Sequence, residues 1–127
     1  MIAPEYFDKD RFAKDNGVRV VSAGDGMATA AFDVDDRHRN AHGSVHGGMI
    51  FTLADVAFCY ACMSKGGMAV SLQTSINFTA PVMRGTVTAI ARELSRSKRV
   101  GVYDVRVTGA DGVLLAAMTG TAYIKEV

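Results

Sequence analysis

An α+β fold, a long apolar helix wrapped by a curved antiparallel sheet, is predicted by three observations. Gly47 to Met63 (GGMIFTLADVAFCYACM) is the most hydrophobic stretch of the chain and is followed by a glycine stop at Gly66-Gly67. From Ala69 onward the sequence changes to runs rich in Val, Ile, Thr and Tyr, separated by polar, glycine-containing breaks. The 127 residues, 49% hydrophobic, suffice for one core and contain no repeat, low-complexity run or linker, so a single domain over 1–127 is expected. Helix and sheet must then share that core.

Each element has a local reason. Pro4 to Asn16 carries Tyr6, Phe7, Phe12 and Ala13 at roughly helical spacing and ends at Asn16-Gly17, which predicts a short amphipathic helix. Val18–Ser22 and Met27–Val34 flank Ala23-Gly-Asp-Gly26, whose glycines suit a tight connection, so the pair reads as a β-hairpin. Asp35 to Val45 is polar and reads as a loop delivering the chain to the long helix. That helix closes at Lys65-Gly66-Gly67, a cationic last turn followed by glycines. Ala69–Phe78, Thr86–Ser95, Arg99–Thr108 and Val113–Ile124 then read as four consecutive antiparallel strands. A helix apolar nearly all round needs cover on nearly all sides, from a sheet on one face and a further element on the other, a second subunit being one candidate.

Charge excludes several functions. With 14 basic and 13 acidic residues the net charge is +1, and no field draws the molecule to nucleic acid or anionic lipid. The charged opening segment lacks the apolar run of a signal peptide, and the Met49–Met63 run is shorter than the about 20 apolar residues that span a bilayer. Neither a membrane partner nor a nucleic acid is expected, and with only Cys59 and Cys62 present the expected address is cytoplasmic.

Within the apolar helix one residue is charged, Asp55. A buried, unpaired carboxylate costs several kcal/mol, about the scale of a small domain's stability, so it is the first candidate for chemistry. The other reading is a structural carboxylate hydrogen-bonded to loop N–H groups. His46-Gly47-Gly48 opens the same helix, where first-turn N–H groups lack partners and the helix dipole is positive. Without side chains at Gly47 and Gly48, a carbonyl oxygen or anion can approach those donors, as in an oxyanion hole; the glycines also suit close helix–strand packing. Gly47 and Asp55 stand eight residues apart, about 12 Å along a helix axis. Donor and attacking group must both lie within about 3 Å of one reacting group, so one helix cannot serve one substrate with both. Two helices antiparallel across a two-fold axis can, and the spacing therefore predicts a homodimer with two composite sites.

These residues carry a resemblance. Asn40-Ala-His-Gly-Ser-Val-His-Gly-Gly48, Leu53-Ala-Asp55, the glycine-ended helix and Asn77-Phe-Thr-Ala-Pro81, with Gly101-Val-Tyr-Asp104 beyond, resemble the hotdog-fold acyl-CoA thioesterases of the PaaI type, from about residue 38 to the C-terminus. The resemblance implies the hotdog fold. It also implies that Asp55 is nucleophile or general base for water, that the Gly47 N–H polarises the thioester carbonyl, that Asn40 helps position thioester or water, and that His46 orients. Gly48 falls to substrate binding. A thiolate leaves readily, so carboxylate and oxyanion hole suffice without a cofactor, coenzyme A being part of the substrate. The implied substrate is a small aryl or short acyl-CoA, phenylacetyl-CoA or a ring-hydroxylated form, and the implied assembly a dimer of dimers.

Other signals weigh less. His38, His42 and His46 recur every four residues, but the intervening Gly43 and loop composition argue against a helical ligand set, and no metal is expected. Cys59-x-x-Cys62 has redox spacing yet lies inside an apolar helix, where thiols are packing. Met49, Met63, Met68, Phe51, Phe58 and Tyr60 read as core before acyl pocket. Arg96, Lys98 and Arg99 form the densest basic cluster, either a rim for coenzyme A phosphates or a solvated hairpin turn. A dehydratase or hydratase would want a catalytic histidine paired with an acid, and His46 and Asp55 are nine residues apart; a non-catalytic acyl-CoA-binding module would not need Asp55.

Overall fold

The computed structural model describes residues 4–126, so the expected domain limits at 1 and 127 lie outside the described residues. In chain order it contains α1 (Pro4–Asp8), α2 (Arg11–Asp15), β1 (Arg19–Gly24), β2 (Met27–Asp33), α3 (Gly47–Met63), β3 (Met68–Phe78), β4 (Thr86–Arg96), β5 (Val100–Thr108) and β6 (Leu114–Lys125). The six strands form one antiparallel sheet in the order β1-β2-β4-β5-β6-β3. α3 lies across its inner face and buries Leu53, Ala54, Ala57, Phe58 and Ala61 completely. Small inward residues on the strands let the helix sit close. A Cβ on Gly120 of β6 would come within 2.8 Å of the Phe58 ring, a distance that packed interiors do not accommodate.

The hairpin and the long helix stand where the sequence predicts them. Asp25 and Gly26 both have positive φ, 53° and 80°, the two-residue turn whose twist matches paired strands. Three details differ. The opening helix is two short helices, because Asp10 accepts a hydrogen bond from the Ala13 N–H (3.2 Å) and starts a new one. Lys65 lies beyond the helix and pairs with Glu93 (2.9 Å), while Ser64 caps the end by donating to the Ala61 carbonyl (2.7 Å). β3 pairs with β6 and not with β4: the connection 79–85 crosses the sheet, and β2 takes the place beside β4. β3 is left as an edge, with Val70 and Leu72 exposed.

Candidate active site

The first turn of α3 is built by the loop before it. Asn40 closes the loop: its Oδ1 accepts from the His42 N–H (2.9 Å) and its Nδ2 donates to Ser44 Oγ (3.0 Å). His38 is buried, its Nδ1 accepting from the Asp35 N–H (3.0 Å) and its Nε2 donating to the Asn16 carbonyl (2.7 Å). Its own carbonyl accepts from the His46 N–H (2.7 Å), so α2, loop and helix start are tied together. His38 is thus spent on structure, apart from any ligand set with His42 and His46.

His46 is the N-cap, with extended backbone (φ −60°, ψ 135°). Its Nδ1 accepts from the Gly48 N–H (2.8 Å), and its carbonyl accepts from Met49 (2.9 Å) and Ile50 (3.2 Å). Among the described residues only the Gly47 N–H of this turn has no partner. A free donor at the positive end of a helix dipole is an anion and carbonyl site. The N–H of Gly48 is taken by the His46 ring, and Gly48 itself is exposed.

Asp55 is half-buried on the one strip of α3 that the sheet leaves uncovered, in line with Gly48, Thr52 and Cys59 at helical spacing. It makes no hydrogen bond or ion pair among the described residues, so no loop N–H group among them holds it. Burial pushes its carboxyl above the ordinary value, and the charge of Asp10, from the start of α2, adds to the rise. Cys59, one turn on, is pushed up to about 12 chiefly by burial, and burial also raises Cys62. Neither thiol has the lowered value of a redox pair.

Other candidates fall elsewhere. Met49, Phe58, Tyr60 and Met63 are buried in the core, and Phe51 is half-exposed on the uncovered face. Arg96 donates from Nη1 to the Cys62 carbonyl (3.2 Å), capping the opposite end of α3 from Gly47, about 22 Å away along the axis. That contact commits one of its donors to the helix terminus. Arg99 donates to Tyr123 Oη (3.2 Å) and Lys98 is exposed, both at the same far end. Asp10 was not anticipated as a neighbour of Asp55. No local signal carries it, since forty-five residues separate the two.

A long helix cradled by one antiparallel sheet is the hotdog arrangement. The chain belongs to the thioesterase superfamily, whose pattern is matched by residues 42–116. It is a thioester hydrolase of the PaaI type. It is 36% identical over 122 residues to acyl-coenzyme A thioesterase PaaI of Escherichia coli, covering 95% of this chain and 87% of that protein. It is 30% identical to human acyl-coenzyme A thioesterase 13, over 84% of this chain and 79% of the relative. The solved structure of E. coli PaaI, from the phenylacetic acid degradation operon, superposes with a TM-score of 0.90 at 35% identity, covering 94% of this chain and 88% of that one.

Proposed function

We propose that the protein hydrolyses small aryl or short acyl-CoA thioesters, phenylacetyl-CoA or a ring-hydroxylated form first among them, at two composite sites of a homodimer. The observation that carries this reading is the separation of two unsatisfied groups: the Gly47 N–H and the Asp55 carboxylate, about 12 Å apart on one helix. The open edge of β3 and the uncovered side of α3 are the surfaces that a second copy is proposed to cover. With the two helices antiparallel, Gly47 of one protomer faces the partner's Asp55. The similarity to PaaI supports the phenylacetyl group.

The thioester carbonyl oxygen accepts from the Gly47 N–H, and the helix dipole stabilises the charge that develops there. The partner's Asp55 either attacks the carbonyl carbon, giving a mixed anhydride that water then opens, or takes a proton from the attacking water. The C–S bond breaks and coenzyme A leaves as thiolate, which takes up a proton. His46 keeps Gly48 occupied so that Gly47 is the available donor, and Asn40 fixes the loop that sets both, with a second Nδ2 hydrogen left for water or thioester. Lys98 and Arg99 are the rim cations proposed for the phosphates of the nucleotide. No resident cofactor enters this chemistry, and pairing of dimers completes a tetramer.

Release of free thiol from a panel of acyl-CoA esters tests the reading. Turnover of the aryl ester, lost in Asp55→Asn, supports it; binding without thiol release would leave a binding module, and hydration of an enoyl-CoA a hydratase. In single turnover in oxygen-18 water, label in the Asp55 carboxylate identifies a nucleophile, because it requires water to open the anhydride at the aspartyl carbonyl, whereas a general base carries none.

A further inference from the structure

Two open cavities flank the head of α3, and they differ in chemistry. One, of about 340 Å³, is lined by Gly47, Val45, Ile50, Phe78, Val82 and Leu115. The other, of about 300 Å³, is lined by Gly48, His46, Thr52, Asn16, Arg37 and Phe12. We propose that the acyl group of the substrate occupies the first cavity, between the first turn of α3 and the end of β3, and that Phe78 determines which acyl groups are accepted. The proposal rests on the thioesterase reading above and extends it to the two arms of the thioester.

A thioester held by its carbonyl oxygen has an acyl arm and a pantetheine arm leaving the same carbon. The free donor belongs to Gly47, which lines the first cavity, whereas the N–H of Gly48 in the second is bound to the His46 ring. The first cavity offers hydrocarbon and suits an aryl or alkyl group; the second is lined by amide, hydroxyl and guanidinium groups that each spend one donor inside the protein, and their remaining donors and acceptors suit the amide-bearing pantetheine chain. Gly47 also faces Phe78 directly: a Cβ there would stand 3.5 Å from the Phe78 ring, so the ring lies within van der Waals reach of the carbonyl-binding residue.

Phe78 is 54% exposed although large and apolar, so the core does not account for it. Its register partner on β6 is Ala116, fully buried, and cross-strand partners share a face, so Phe78 stands on the helix side of the sheet. The cavity around it is firmly framed. Ile50 and Leu115 are buried, Val45 donates to the Val82 carbonyl (2.9 Å), and Thr79 donates to the Leu115 carbonyl (2.8 Å). An aryl group in such a frame gains ring contact with Phe78 that an acetyl group cannot make.

The test is the ratio of kcat/KM for phenylacetyl-CoA to that for acetyl-CoA, measured in Phe78→Ala, Val82→Phe and Phe12→Ala, with Asp55→Asn beside them. Phe78→Ala removes the ring and Val82→Phe fills the cavity; each should lower the ratio by about tenfold, the discrimination typical of one apolar contact set. Phe12→Ala, in the other cavity, should change KM for both esters alike and leave the ratio in place. Should Phe78→Ala fail to fold, Phe78→Leu provides the same comparison. A ratio unchanged in both cavity variants, or one moved by Phe12→Ala instead, overturns the assignment. So does a Phe78→Ala protein whose oligomer dissociates at constant ratio, which would make the ring an interface residue. Turnover retained in Asp55→Asn counts against the proposed chemistry and leaves the acyl-group ratio to be judged by itself.

Discussion

The proposed composite site makes a quantitative prediction about mixed dimers. Gly47→Pro is an unusually clean perturbation, because Gly47 is the first helical residue, where proline fits, and His46 before it already has the extended backbone that a following proline requires. The substitution deletes the one free N–H and leaves the Gly48, Met49 and Ile50 donors with their His46 partners. Loss of an oxyanion donor costs about 10²–10³ in kcat, and Asp55→Asn should cost about 10²-fold or more. Each parent dimer is then nearly inactive. On random exchange about half of the dimers are mixed, and each mixed dimer pairs one intact Gly47 with one intact partner's Asp55, keeping one of its two sites. The mixture should therefore recover about a quarter of the wild-type thiol-release rate. Native mass spectrometry of differently tagged subunits counts the mixed dimers, and a colour assay for free thiol reads the rate. Mixed dimers present at the expected fraction without recovered activity would refute the shared site.

The remaining predictions probe the surroundings. Asp10→Asn keeps an N-cap that can accept from Ala13 but removes a negative charge near Asp55. With Asp55 acting as carboxylate in the proposed mechanism, and its pKa raised first by burial and then by Asp10, activity should fall as pH drops through that raised value; the acidic limb of kcat/KM should move to lower pH in the variant, and an unmoved limb refutes the coupling. Arg96→Ala should destabilise the fold by about 1 kcal/mol through the lost contact with the helix end, read as Tm, with little effect on KM. Lys98→Ala with Arg99→Ala should do the reverse and raise KM for the CoA ester by about tenfold, about 1.4 kcal/mol, at constant Tm; an unchanged KM removes both from the nucleotide rim.

The elements written in local chemistry were legible before the fold was known. The long helix runs from Gly47 to Met63 because its apolar content and flanking glycines are continuous, and the strands agree within a few residues because Val, Ile, Thr and Tyr cluster between turn residues. Relations between distant segments were not legible. That β3 crosses to β6 depends on the path of 79–85, that Arg96 caps α3 depends on β4 ending beside Cys62, and that Asp10 influences Asp55 depends on how α2 lies along α3. The glycine pair at the helix head looked equivalent in the sequence. Only with the His46 ring in place do the two N–H groups divide into one occupied and one free.

Asp55 also has a thermodynamic signature that separates chemistry from architecture. Its carboxyl is raised above the ordinary value in the folded protein, so folding favours the protonated form. The sign is the reverse of an ion-paired aspartate: the stability is fully present below the unfolded value and is lost as pH rises through the folded one. At neutral pH the ionised group is therefore a liability, and Asp55→Asn, which cannot ionise, should have a higher Tm than the wild type near pH 8. The advantage should shrink as pH falls into the carboxylate range, where the native side chain is protonated too. Thermal unfolding across pH measures both trends, and the same variant must have lost turnover. A substitution that raises stability while abolishing catalysis marks a group kept for its reactivity at a cost to the fold. An Asp55→Asn protein less stable than wild type at neutral pH would instead mean that the assembled protein holds the carboxylate in an ion pair or hydrogen bonds, which would return it to a structural role.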